Sequence, residues 1–170
     1  MCARHQIKTL TVVADAGMLS SDNVKDIVTS GFSYIVGARL GKISLNKAIN
    51  LHGFFNYNPD HGHYFIECSP YGTFVADYSL KRAKKDKRDR EKQLEKAKTK
   101  IKGNTATQAT RFVKVTKKAS YALNQNLIEK AKMMEGIKGY YTNLDLVTTE
   151  PKLVIKPIPT LKGWGFCMAS

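Results

Sequence analysis

Asp15 follows the run Leu10-Thr11-Val12-Val13-Ala14 and precedes Ala16-Gly17. A carboxylate at the carboxyl end of a parallel strand stands where open α/β sheets gather their ligand and metal groups. The same position also suits a polar residue that ends a strand and opens a turn. A magnesium-dependent phosphoryl-transfer centre needs further carboxylates to hold two ions about 3.5 to 4 Å apart. Asp15 alone is therefore insufficient.

His52, Asp60, His61, His63 and Cys68 form the one cluster with metal-ligand chemistry, and zinc can take ligands from such a set. The alternate histidines lie in and beside the turn Asn58-Pro59-Asp60-His61-Gly62, do not have zinc-finger spacing and lack a supporting shell. A solvated hairpin loop accounts for them. The third candidate is the run Lys81 to Lys102, which holds 12 basic and 4 acidic residues and so +8 of the chain's +14. Its members Lys81, Arg82, Lys84, Lys85, Arg88, Arg90 and Lys92 fit a phosphate-binding track and fit equally a solvated helical face. Both readings stay open at this point. No phosphate-binding glycine loop, Ser-His-Asp set or Cys-His pair is legible.

These residues need elements to position them. Leu10 to Ala14 reads as a buried parallel strand. Ser20, Ser21 and Asp22 can cap a helix carrying Val24, Ile27 and Val28 at spacings of three and four, and Gly31 ends it. Phe32 to Arg39 is a second strand, so residues 10–39 form a right-handed strand, helix, strand unit. From Gly41 to Tyr78 short β segments are expected, with 64–67 and 73–78 as hairpin arms. The basic run predicts a helix about 33 Å long with Leu80, Ala83, Leu94, Ala97 and Ile101 on one narrow stripe. Lys87 and Arg90 interrupt that stripe, so its middle is expected to project into solvent. Gly103-Asn104 stops the helix, Arg111 to Leu123 reads as extended, Asn126 caps a helix through Met134, and Ile137 to Leu144 is a strand. After Pro151 no helical period is visible.

With 170 residues, 42% of them hydrophobic, the chain can bury one substantial core. Its pI near 9.7 points to a polyanionic partner. No run of 18 apolar residues offers a spanning helix. The start Met1-Cys2-Ala3-Arg4-His5-Gln6 lacks an apolar signal and reads as cytoplasmic. Three cysteines, Cys2, Cys68 and Cys167, make neither a disulfide framework nor a CxxC zinc pair.

Four segments in order, Thr11 to Ser20, Tyr34 to Leu40, Lys81 to Lys92 and Lys138 to Asn143, resemble the bacterial insertion-sequence transposases of family four. The resemblance implies an α/β fold: a partial ribonuclease-H-like transposase core with a mainly β insertion and a long basic helix. It implies DNA-mediated transposition by magnesium-dependent strand cleavage and transfer, with three acidic residues holding the metal. Asp15 is then the second acid, a catalytic residue and Mg2+ ligand. The first acid would lie on a strand before Met1. The third, a Glu on a helix in a Tyr, Arg, Glu, Lys signature, has no match, since residues 151–170 contain no Glu or Asp and Glu150 falls outside the signature.

The expected organisation is a partial catalytic core over 1–40, an insertion region over 41–136 with the basic helix 81–102, a returning core strand over 137–146, and a degenerate or truncated tail over 147–170. Phe166 to Ser170 would be a remnant of the third acid's helix, and the strand at 10–14 would expose an apolar edge that makes the chain self-associate. The leading functional reading is a fragment of a DNA transposase, inactive alone, left by decay of a mobile element. The alternative is a non-catalytic basic DNA-binding module that interferes with an intact relative. The expected partners are DNA at element ends, a second copy of the chain or such a relative, and no membrane.

Overall fold

The computed structural model describes residues 10–18, 20–58, 62–107, 109–116, 120–155 and 166–169. In chain order they form β1 (Leu10–Ala14), α1 (Ser21–Thr29), β2 (Ser33–Gly37), α2 (Leu45–Tyr57), β3 (Phe65–Ser69), β4 (Gly72–Tyr78) and α3 (Leu80–Lys102). There follow β5 (Val113–Val115), β6 (Tyr121–Leu123), α4 (Gln125–Met133), β7 (Ile137–Thr142), α5 (Pro151–Ile155) and β8 (Phe166–Ala169). The chain is mixed α/β. It divides into two compact units, one of residues 1–42, 59–77 and 138–170, the other of 43–58 and 78–137.

The first unit is built on a six-stranded sheet in the order β3-β4-β7-β2-β1-β8. β1 and β2 are parallel, Thr11 opposite Ser33 and Ala14 opposite Val36, as the strand, helix, strand reading requires. The Ser20 side chain accepts from the Asn23 N–H at 3.2 Å, starting α1 where expected, and Gly31 (φ +75) turns the chain back. Period-two alternation then sends β2 side chains to opposite faces. Tyr34 and Val36 pack with Val12 and α1's Val24 and Ile27, while Ile35 packs with Val13, Val75, Tyr140 and α5's Val154 and Ile155. The sheet thus has apolar cover on both sides.

Two expectations for this unit fail. Phe166 to Ala169 is no helix remnant: β8 runs antiparallel to β1 with Val12 opposite Cys167, so the edge expected to be bare is paired. The argument for self-association through that edge falls with it. Pro151 opens the short helix α5, as a proline suits a first helical turn. The returning strand β7 does pair with β2, antiparallel, Val36 opposite Tyr141.

In the other unit, residues 45–57 were expected as β segments and are helix α2. Ser44 caps it by accepting from the Lys47 N–H, and Ala48, Leu51 and Phe55 bury one face. The hairpin β3–β4 of 65–78 belongs to the six-stranded sheet, so the region 41–136 is not mainly β: the described residues of the second unit form three helices and the two-stranded ribbon β5–β6. Asn124, not Asn126, caps α4 by accepting from the Leu127 N–H at 3.3 Å.

Candidate nucleic-acid interface

Asp15 leaves the end of β1 into a tight 3-10 turn, Ala16–Met18, and is exposed. Its Oδ1 accepts from the Ala16 N–H at 2.6 Å. Arg39, two residues beyond β2, holds the turn down: its Nε donates to the Ala16 carbonyl at 2.7 Å and its Nη2 to the Gly17 carbonyl at 2.8 Å. Gly37 makes room for this approach, since a Cβ there would lie 2.9 Å from the Ala16 nitrogen. Asp15 therefore stands where the strand reading put it, on a braced turn. Among the described residues no three His, Cys, Asp or Glu side chains come together as a metal site, so the described residues do not fit a two-ion magnesium centre.

The zinc cluster also disperses. His52 lies exposed on α2, His63 precedes β3, and Cys68 is a free, exposed thiol on β3, while Asp60 and His61 lie outside the described residues.

Charge follows the division into units. Residues 43–58 and 78–137 hold 19 Lys and Arg against 6 Asp and Glu, a net +13, whereas the remainder holds 9 against 8, a net +1. Within the basic unit, α3 sorts its cations by face. At about 100° per residue, Lys81, Lys84, Lys85, Arg88 and Lys92 fall within about 60° of one line, and all five are exposed. Exposed Asp89 and Glu91 flank that stripe at about 80° to either side, and Glu95, which Lys98 engages at 2.8 Å, falls on its line beyond Lys92.

The opposite side of α3 is inward and partly polar. Arg90 does not project into solvent: its Nε donates to the Glu135 carboxylate at 2.5 Å, with the two side chains 13% and 16% exposed. Asp86 accepts from the Gly136 N–H at 3.0 Å, and Arg82 is half-buried with its Nε enclosed and without a hydrogen-bond partner. Gly136 (φ +84) is required there because a Cβ would lie 2.9 Å from that of Ala83. Of the seven candidate phosphate ligands, Lys81, Lys84, Lys85, Arg88 and Lys92 are thus brought together, and Arg82 and Arg90 are turned away.

A second basic feature escaped the reading by runs of charge. From Lys96 to Ile128 the chain has eight Lys and Arg and no acid, a composition signal spread too thinly to stand out. It places exposed Arg111 and Lys114 at the β5–β6 ribbon.

No helix of the described residues is long and apolar enough to cross a membrane. No family model, curated protein or solved structure matches the chain.

Proposed function

We propose that the chain is a DNA-binding piece of a transposase like those of insertion-sequence family four, gripping duplex phosphates with the outer face of α3. The observation that carries this reading is the acid-free stripe Lys81, Lys84, Lys85, Arg88 and Lys92, all exposed on one face of a 23-residue helix. From Lys81 to Lys92 the stripe is about 16 Å long at 1.5 Å per residue, which matches about five phosphates of one strand at 3.4 Å each. The parallel β1–β2 pair, with Asp15 at the carboxyl end of β1, supports ancestry in a ribonuclease-H-like core, whereas the antiparallel β8 stands where the first strand of such a core was expected. One carboxylate does not make the family's metal centre, so the activity proposed is binding without strand cleavage.

Phosphate contacts neutralised by five cations give a fall of log K with log salt of slope about −4.5, nearly independent of duplex sequence. Changing Lys84, Lys85, Arg88 and Lys92 to Gln flattens the slope by about 3.6 and keeps the helix, since Gln is nearly as good a helix former as Lys or Arg. Fluorescence anisotropy on random duplexes across a salt series measures both. An unchanged slope in the quadruple variant, or no binding by the parent chain, defeats the reading. Magnesium-dependent nicking that vanishes in Asp15→Ala defeats the non-cutting part of it.

A further inference from the structure

We infer that α3 rides on a single phosphate ridge, outside the grooves, so that its outer face takes double-stranded RNA as readily as duplex DNA. The inference rests on the DNA-binding reading of α3 and names a further ligand class for the same face.

The flanks of the helix carry the argument. With its side chains a helix is about 10 to 12 Å across and the major groove of B-DNA about 12 Å wide, so a helix inserted there turns both flanks to walls of phosphate. On α3 those flanks hold Asp89 and Glu91, both exposed, at about 80° to either side of the cation line and about 3 Å apart along the axis. Aiming the cations at the groove floor would set both carboxylates against phosphates, like charge against like. Aiming them at a ridge leaves the carboxylates pointing to either side of it, over the grooves. The same two acids oppose the phosphates of the second strand, which confines the contact to one ridge.

The outer face is also poor in groups that read bases. Gln93 is the one amide on α3, and its Oε1 is enclosed without a hydrogen-bond partner. Thr99 is the one hydroxyl, and its Oγ1 donates to the Glu95 carbonyl at 3.0 Å. From Lys81 to Lys92 every exposed side chain is a cation or a carboxylate. Lys and Arg reach guanine only from inside the groove, which the flanking acids close to this helix.

Contacts to phosphate carry no sequence information. A-form RNA duplexes present phosphate ridges of their own, while their major groove is deep and narrow and closed to side chains. A helix that needs the groove therefore separates DNA from RNA duplexes strongly. A helix on the ridge does not.

The test uses the full chain and two random duplexes of equal length, one DNA and one RNA, followed by fluorescence anisotropy across a salt series. The expected Kd values agree within about threefold and the salt slopes within about 1, because the same five cations meet phosphates in both. A preference for DNA of about tenfold or more overturns the inference and leaves the α3 reading standing, whereas a chain that binds neither duplex overturns both. Changing Lys84, Lys85, Arg88 and Lys92 to Gln should flatten the RNA slope as it flattens the DNA slope, and RNA binding that keeps its slope places RNA elsewhere and overturns the inference. The double variant Asp89→Asn, Glu91→Gln tests the cause. Relief of repulsion helps both ligands, but only the B-form groove is then opened to the helix, so DNA should gain at least about threefold more than RNA. Equal gains would show that the acids do not keep α3 out of the groove and would overturn its placement on the ridge.

Discussion

Two tyrosines of the sheet unit, Tyr34 buried and Tyr141 partly buried, make its stability sensitive to alkali. Tyr34 is 1% exposed and donates its hydroxyl to the Tyr71 carbonyl at 2.5 Å. Burial pushes its phenol above the ordinary value of 10.0, and burial followed by the Glu67 and Tyr71 charges does the same for Tyr141. Because the folded state holds these protons more tightly than the unfolded chain, their contribution is fully present below about pH 10 and is lost as pH rises through the folded values. Urea titrations from about pH 8 to 11 should show stability falling with pH, and less steeply in the double variant Tyr34→Phe, Tyr141→Phe. An equal alkaline loss in that variant would show that other groups carry it. At neutral pH the Tyr34 change alone should cost about 1 kcal/mol, because the Tyr71 carbonyl loses its donor.

At the scale of elements, the half-buried pair between Arg90 and Glu135 fixes how α3 sits on the end of α4. Removing one partner by Glu135→Ala leaves a cation 13% exposed without its counter-charge, which should cost about 2 kcal/mol or more. Replacing both, Arg90→Met with Glu135→Leu, should recover most of that loss, since a well-packed apolar pair is often as stable as a buried ionic one. Urea midpoints of the two variants decide it, and a double variant as weak as the single one would assign the effect to packing. This pair also marks the limit of what the sequence shows. β1, α1 and β2 were legible because caps, spacings of three and four, and β-branched runs are local. α2 had the same signals, Ser44 followed by Ala48, Leu51 and Phe55, but the aromatics and Gly53 resemble strand and turn. Nothing local announces that Glu135 answers Arg90 across 45 positions, or that Phe166–Ala169 pairs with Leu10–Ala14. Such partners are chosen by tertiary packing. The cation stripe of α3 was half legible for this reason: helical period alone separates Lys81, Lys84, Lys85, Arg88 and Lys92 from the rest, whereas the inward turn of Arg82 and Arg90 needs the partner helix.

Across the whole molecule, a net +14 that divides as +13 and +1 separates two accounts of DNA affinity. If total charge governed binding, any cation removed would weaken it alike, through the long-range field that concentrates counter-ions. If contact with phosphates governs it, only cations on the binding surface set the salt slope. Two variants of equal net charge distinguish these accounts. Lys25, Lys42 and Lys152, all exposed in the sheet unit, changed to Gln give +11, and so do Lys84, Lys85 and Arg88 changed to Gln on α3. The first variant should keep the parent's salt slope and lose at most about twofold in affinity at physiological salt, where the Debye length is about 8 Å. The second should flatten the slope by about 2.7, from about 0.9 for each lost phosphate contact, and weaken all duplexes alike. Equal slopes for the two variants would mean that DNA is held by a diffuse basic cloud rather than by a face of α3. A flatter slope in the sheet-unit variant alone would move the interface to the sheet.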